Sequence, residues 1–387
     1  MVNDSRTRVV RMTPPDLFRV FHFKTTVSLF IVSFSLIGIG LIMIYSSSAI
    51  YAAQNWGDQY YFLTRQLIHF VIGLICLRVA IKLPYDIYKK IIPLLMLVCF
   101  ILLLIVLIPG IGKQVGNARR WIRILGFGFQ PSELLKLTLI IWAASFLDRR
   151  KNVLGYFSRA FLPTLIVMSI YLFLLLLQPD FGTAVLIALC LFLMIFVAGV
   201  KPSHMILSFT GVSFIGLILV VSQPYRLRRI LGFLNVWEDP YDKGYQLIQS
   251  FIAIARGGIF GQDLGNSQQK LFFLPEAHTD FIFAIIAEET GFIGVVIVIS
   301  LLAFLMTKGF EIALNCKDDF GRNLAFGITS LLTLQSLLNV LVVTGLIPTK
   351  GIPLPFISYG GSSLIISMFM LGILINIAGH LRHSTNR

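Results

Sequence analysis

The chain has 387 residues, 57% hydrophobic and only 13% charged, with a formal net charge of +14 and a mean hydropathy of +0.85. A composition this apolar excludes a water-soluble globular domain, and the long uncharged runs fit bilayer spans of ~20 residues. Thirty-three phenylalanines and many Leu and Ile with interspersed Gly suit lipid-facing helices better than the weak alternation of an outer-membrane barrel, so the expected fold class is an all-α polytopic membrane protein.

The N-terminal stretch carries Arg6, Arg8, Arg11, Arg19 and Lys24 before the first apolar run, which assigns it to the cytoplasm by the positive-inside rule. It shows no short apolar region with a small-residue cleavage site, so the first span is expected to be retained. Hydropathy then predicts ten spans, at about 25–49, 63–81, 91–109, 132–147, 161–178, 181–199, 205–222, 281–305, 323–345 and 361–380. The expected organisation is a basic cytoplasmic tail at 1–24 and a ten-helix membrane domain at 25–380. A long extracytoplasmic loop at 223–280 joins helices seven and eight, and a cytoplasmic tail follows at 381–387. The segments on the cytoplasmic side, including residues 307–322, are rich in Lys and Arg as that scheme requires. Cys76, Cys99, Cys190 and Cys316 are widely separated with no CxxC spacing, which supports neither a disulfide framework nor a zinc site.

The outer segments depart from the charge rule. Lys113, Arg119, Arg120 and Arg123 share one short loop, and Arg226, Arg228, Arg229, Lys243, Arg256 and Lys270 lie in the long one. Such an excess suggests an anion-binding surface, although long loops can escape the rule. Within the long loop, residues 244–255 have helical spacing and precede Gly257, Gly258, Gly261 and Gly265, the pattern of a helix at the interface followed by turns. Gln-Pro recurs at outer span ends, at Gln130, Gln178 and Gln223, with Pro suited to a first helical turn.

Four constellations could carry chemistry. Arg119 and Arg120 stand just before a helix bearing Glu133 and Lys136 at i, i+3. A guanidinium fork beside a lysine is well shaped for a phosphate, and the alternative is that Glu133 and Lys136 neutralise each other inside the bundle. Asp180 and Thr183 follow a tight turn and could cap the next helix. Residues 344–363 contain several prolines and glycines around Lys350, an irregular segment whose backbone needs polar partners; it could line a cavity or be a rigid turn. His278, Thr279 and Asp280 sit where a Pro-marked turn meets the eighth span. Asp280, a carboxylate at the mouth of that span, suits a general base, whereas Glu288 and Glu289, deeper on the same helix, read as residues that hold the bundle. No metal-ligand spacing appears.

GNARRWI, FQPSELLK, QPDFGT, FLPEAHTDFIFAIIAEETG and PTKGIPLPFISYGGSS, in this order over nearly the whole chain, resemble the SEDS family (shape, elongation, division and sporulation). PEAHTDFIF and PTKG are closer to its cell-division branch than to its rod-shape branch. The resemblance implies a ten-helix peptidoglycan glycosyltransferase that polymerises lipid II, paired with a class B penicillin-binding transpeptidase and other divisome proteins at the septum of the bacterial cytoplasmic membrane. The family's essential aspartate falls on Asp280, and its conserved Arg and Lys fall on Arg120 and Lys136. Some relatives carry an acid eight positions before the aspartate, where this chain has Phe272, which argues against a mechanism needing a second carboxylate there.

The implied reaction has Asp280 as base, with Arg119, Arg120, Lys136 and Lys350 offsetting charge on the departing pyrophosphate, Glu133 paired with Lys136, and His278 a neighbour of the base. No cofactor is evident; a divalent cation on the pyrophosphate is compatible with the chemistry. Nucleic acid is not an expected partner. The rival readings are a lipid flippase or transporter and a scaffold that recruits a transpeptidase.

Overall fold

In hydrocarbon the backbone must satisfy its own N–H and C=O groups, so the apolar runs can only be helices. The computed structural model describes residues 14–115, 118–124, 126–206, 210–211, 232–234, 236–238, 240 and 244–380. Helices α1 (Pro14–Trp56), α2 (Tyr61–Lys82) and α3 (Asp86–Leu107) follow one another through short turns. An antiparallel sheet of β1 (Gly112–Val115), β2 (Ala118–Ile124) and β3 (Phe127–Phe129), in that spatial order, leads into α4 (Pro131–Arg149). Helices α5 (Leu162–Leu177), α6 (Phe181–Val197), α7 (Tyr245–Gly257), α8 (Ile282–Asn315), α9 (Asp319–Val343) and α10 (Gly361–His380) follow.

Among the described residues, six helices are long and apolar enough to cross a membrane: Thr25–Trp56 of α1, α2, α3, α8, α9 and α10. Helices α5 and α6 are apolar but shorter, at 16 and 17 residues, and α4 is interrupted by Glu133, Lys136, Asp148 and Arg149. Each expected span has a described helix except the seventh, 205–222, most of which lies outside the described residues. So do residues 1–13 and 381–387 of the expected tails, and much of the loop from 223 to 243.

Burial separates the middle of the bundle from its rim. In α10, 89% of the apolar window is buried, against 22% in α3 and α8, so α10 is the central helix and the other two present side chains outward. The close approach of α10 to α2 depends on small residues: a Cβ on Gly372 would lie 2.7 Å from both Leu77 O and Ala80 Cβ, the kind of packing that replaces a hydrophobic driving force in lipid.

Three features differ from expectation. The connection before α4, read as a basic loop, folds as the small sheet: Ile122 and Ile124 alternate with Arg123 and pair with Phe129 and Phe127, which alternate with Gly128. Helix α8 continues to Asn315, so the first half of the expected loop at 307–322 is helical; 34 residues make roughly 50 Å of helix, more than the ~30 Å hydrocarbon core needs. Helix α8 is also broken at Gly291, whose φ of 65° and ψ of −165° are non-helical.

By connectivity the sheet lies at the end of the bundle where α1, α3, α5 and α9 finish and α2, α4, α6, α8 and α10 begin. Helix α7 caps the same end: Ser250 Oγ donates to Val343 O at 2.7 Å, at the close of α9. This helix after Gly244 was legible from its spacing. Of the Gln-Pro pairs, Pro131 opens α4 as expected, Pro179 instead precedes the α6 cap, and the third lies outside the described residues.

Candidate active site

Asp280 stands just before α8, whose N-cap is Phe281. The positive end of a helix dipole favours a negative charge there. The Asp280 carbonyl accepts a 2.8 Å hydrogen bond from Asn339 Nδ2, which also donates to Ile352 O at 2.8 Å. One buried amide on α9 therefore joins the start of α8 to the segment after α9. The Asp280 side chain approaches that segment too, since a Cβ on Gly351 would lie 2.9 Å from Asp280 Oδ2. Glycine at 351 is what lets the chain pass so close to the carboxylate.

Lys350, next along, sets its ammonium over the Phe181 ring, 5.0 Å from the centroid. Burial holds its pKa below the ordinary lysine value. Phe181 opens α6, and Gly182 packs on the side chains of Ile352 and Lys350, so the start of α6 is drawn to the same place. Asp180 is the α6 cap, as the sequence suggested: its carboxylate accepts from Thr183 N at 3.4 Å and from Ser132 Oγ at 3.3 Å.

The arginine pair divides. Gln114 is opposite Arg119 and Lys113 opposite Trp121, which leaves Arg120 as the extra residue of a bulge in β2. A bulge re-aims its side chain. Arg120 Nε donates to Gln178 O at 3.3 Å, Nη2 to Pro179 O, and Nη1 lies 3.9 Å from Asp180 Oδ1. Arg119 keeps the strand register, and no contact among the described residues brings it to Asp280.

Glu133 and Lys136 meet at 2.8 Å with side chains 5% and 2% exposed. Lys136 Nζ also donates to Gln335 Oε1 at 2.9 Å, and Gln335 Nε2 donates to Pro353 O at 2.9 Å. Gln335 and Asn339 are i, i+4 neighbours on α9; together this polar face ties Lys136, Asp280 and residues 352–353 into one assembly. Sequence reasoning missed both amides. The available signal was two amides one turn apart in an apolar helix, where polar side chains need partners in neighbouring helices.

His278 is a packing residue. Its ring lies 4.4 Å from Phe62, 5.7 Å from Tyr359 and 5.9 Å from Tyr51, centroid to centroid, and its carbonyl accepts from Tyr359 N at 3.0 Å. Burial lowers the imidazole pKa to about 4, against the opposing pull of Glu276, so the ring is neutral near pH 7. It fixes the chain two residues before the carboxylate. Glu289 is buried and paired, as expected, with Lys270 and with Ser46 of α1; the feature not foreseen is that the partners of both glutamates lie largely in residues 267–270 of the preceding loop. Among the described residues no three His, Cys, Asp or Glu side chains group to hold a metal ion.

Fold and site define a polytopic helical membrane protein whose buried ionic groups gather at one end. The profile of the cell cycle protein family of FtsW, RodA and SpoVE matches residues 27–383, and the chain belongs to that family. It is 46% identical over 343 residues to the probable peptidoglycan glycosyltransferase FtsW of Geobacter sulfurreducens, covering 89% of this chain and 92% of that one. It is 44% identical over 377 residues to the stage V sporulation protein E of Bacillus subtilis, covering 96% and 99%. Among solved structures it is similar to a chain of a peptidoglycan synthase complex that coordinates polymerization and crosslinking, with a TM-score of 0.76, 29% identity and coverage of 91% and 97%. It is also similar to the rod shape determining protein RodA of Thermus thermophilus, with a TM-score of 0.66, 26% identity and coverage of 91% and 95%. The SEDS resemblance read from the motifs is borne out.

Proposed function

We propose that the chain is a peptidoglycan glycosyltransferase that polymerises lipid II on the extracytoplasmic face of the bacterial cytoplasmic membrane during septal wall synthesis. The observation that carries the reading is the approach of the Asp280 carboxylate to the Lys350–Gly351 segment, which is itself tied through Gln335 to Lys136. A base and cations thus share one small assembly at a helix mouth. The names of the curated relatives and of the synthase complex support the same activity.

In the proposed reaction Asp280 removes the proton from the 4-hydroxyl of one lipid-linked disaccharide as that oxygen attacks the anomeric carbon of another. The new C–O bond forms as the bond to the pyrophosphate oxygen breaks, and undecaprenyl pyrophosphate leaves with the electron pair. Displacement with one base inverts the anomeric centre, from an α-linked donor to a β-linked polymer. Lys350 and Arg120 would offset the charge developing on the phosphates in a place where water is scarce, with Lys136 and Glu133 behind them. Arg119, on the sheet, would add a further positive charge on the same side. A divalent cation, where used, would arrive on the pyrophosphate. The proposed partners are a class B penicillin-binding transpeptidase and other divisome proteins.

One observation bears on the flippase reading. The break at Gly291 makes α8 discontinuous, as in many transporters. Here, however, the break is filled by the chain's own loop, with Phe292 N donating to Gly258 O at 2.9 Å. The enzyme reading is therefore preferred. The test is polymerisation of labelled lipid II by the purified chain with its transpeptidase partner. Asp280→Asn should lower turnover by ~10²–10⁴-fold, and undiminished glycan from that variant would remove Asp280 from the mechanism.

A further inference from the structure

Lys270, Glu288 and Glu289 are buried ionisable groups that the reaction above does not use. Their surroundings begin with the break in α8. Its freed backbone groups are taken by the loop after α7: Phe292 N donates to Gly258 O at 2.9 Å, Ile293 N to Ile259 O at 3.3 Å, and Gln262 N to Glu288 O at 3.0 Å. The approach is so close that a Cβ on Gly257, Gly261 or Gly291 would overlap backbone atoms of the facing segment.

Side chains then fasten the same loop further along. Glu288 accepts from Ser267 Oγ, from Gln268 N at 3.1 Å and from Gln269 N at 3.4 Å. Glu289 accepts from Ser46 Oγ of α1 at 2.6 Å, from Lys270 Nζ at 2.9 Å and from Ser267 N at 3.4 Å. Lys270 Nζ completes its three donors on Ser46 Oγ at 3.1 Å and Gly265 O at 2.6 Å. The side chains of Lys270 and Glu289 are 5% and 0% exposed.

A buried ion pair is weak as a source of stability, because desolvation offsets most of its attraction. Its placement suggests another use. Lys270 and Glu289 are 19 positions apart, and Asp280 lies at the middle of the segment they close. From Leu271 to Asp280 the chain forms turns and a bend; Tyr359 N and Asn339 Nδ2 fasten the His278 and Asp280 carbonyls at its far end, and the Lys270–Glu289 pair closes its near end. We infer that Lys270 and Glu289, with Ser46, form a latch that positions Asp280, acting through the segment they close; the inference rests on Asp280 being the base. These are positioning residues, with no contact to the reacting atoms.

The test compares the full-length chain with Lys270→Met, Glu289→Gln and the double variant Lys270→Met/Glu289→Leu, in lipid II polymerisation and in backbone hydrogen exchange. In each single variant kcat should fall by about 10²-fold, the scale set by a misplacement of about 1 Å, while KM for lipid II holds because Arg120, Lys136 and Lys350 are untouched. Exchange should quicken across residues 271–281 and stay unchanged in α10. The double variant removes the uncompensated charge and should regain thermal stability without regaining kcat. Where a single variant does not fold, Ser46→Ala removes the bonds that Ser46 makes to Glu289 and Lys270 but keeps the ion pair, and should show the same kcat and exchange pattern at about fivefold to tenfold. Unchanged exchange at 271–281, or a kcat that recovers with stability, overturns the inference. A wild-type chain that makes no polymer, with the exchange pattern as stated, sinks the glycosyltransferase reading and leaves the latch standing.

Discussion

The two ends of the bundle treat charge differently. At the end opposite the sheet, Lys89 pairs with Asp148 at 31% and 22% side-chain exposure, and Lys151 with Asp319 at 61% and 25%. At the sheet end, Glu133–Lys136 and Lys270–Glu289 have no side chain more than 5% exposed. Exposed pairs keep much of their hydration, cost little to form and contribute ~0–1 kcal/mol. Buried pairs lose several kcal/mol of hydration per ion and break even only with full hydrogen bonding. Ionic groups are thus tolerated at one end because water is there, and held at the other because a structure has been built around them.

Four variants test that contrast, beyond the loss of turnover expected for Asp280→Asn. Lys136→Met leaves Glu133 buried without its cation, and thermal unfolding in detergent should show a loss of ~3–5 kcal/mol. The double variant Glu133→Leu/Lys136→Met should recover that stability while lipid II polymerisation stays low, which separates the pair's structural role from its proposed chemical one. Asn339→Leu deprives the Asp280 and Ile352 carbonyls of their shared donor. The expected loss is ~1–3 kcal/mol, with a lower rate of polymerisation at unchanged expression. Lys151→Ala, at the exposed end, should change stability by ~0.5 kcal/mol or less and leave polymerisation as it was. A Lys151→Ala effect as large as that of Lys136→Met would erase the distinction between the two ends.

Much of the fold was legible because it depends on local quantities. Runs of apolar residues located the helices, and Gly244 with the spacing after it located α7. Asp180 was identifiable as a cap from its place after a tight turn. The site was legible in part. Asp280, Lys136, Glu133 and Lys350 stood out as ionisable groups at or near the outer ends of spans, and the structure brings them into one assembly with Asp180 and Arg120. Arg119 and Arg120 looked alike in sequence, and only the register of β1 on β2 shows that the bulge falls on Arg120. Gln335 and Asn339 drew no notice because uncharged amides barely lower the hydropathy of a span, yet they hold the site together.

The least legible feature is the one on which the latch depends. Glu288 and Glu289 were equally odd as residues inside a span, and their periodicity could not say whether they faced a helix or a loop. That depends on the break at Gly291 and on a serine of α1 that lies 224 positions from Lys270.

Side-chain hydrophobicity along the chain was sufficient to determine a polytopic helical bundle, its helix positions and the few residues whose charge is out of place, because transfer into hydrocarbon is governed by each short segment on its own. Which of those charges meet, which amides serve them and where a helix breaks were decided only by tertiary structure. Such contacts join residues far apart in the chain, as Lys136 and Gln335 are at 199 positions, and they exist only once packing has removed the water that would otherwise satisfy each group.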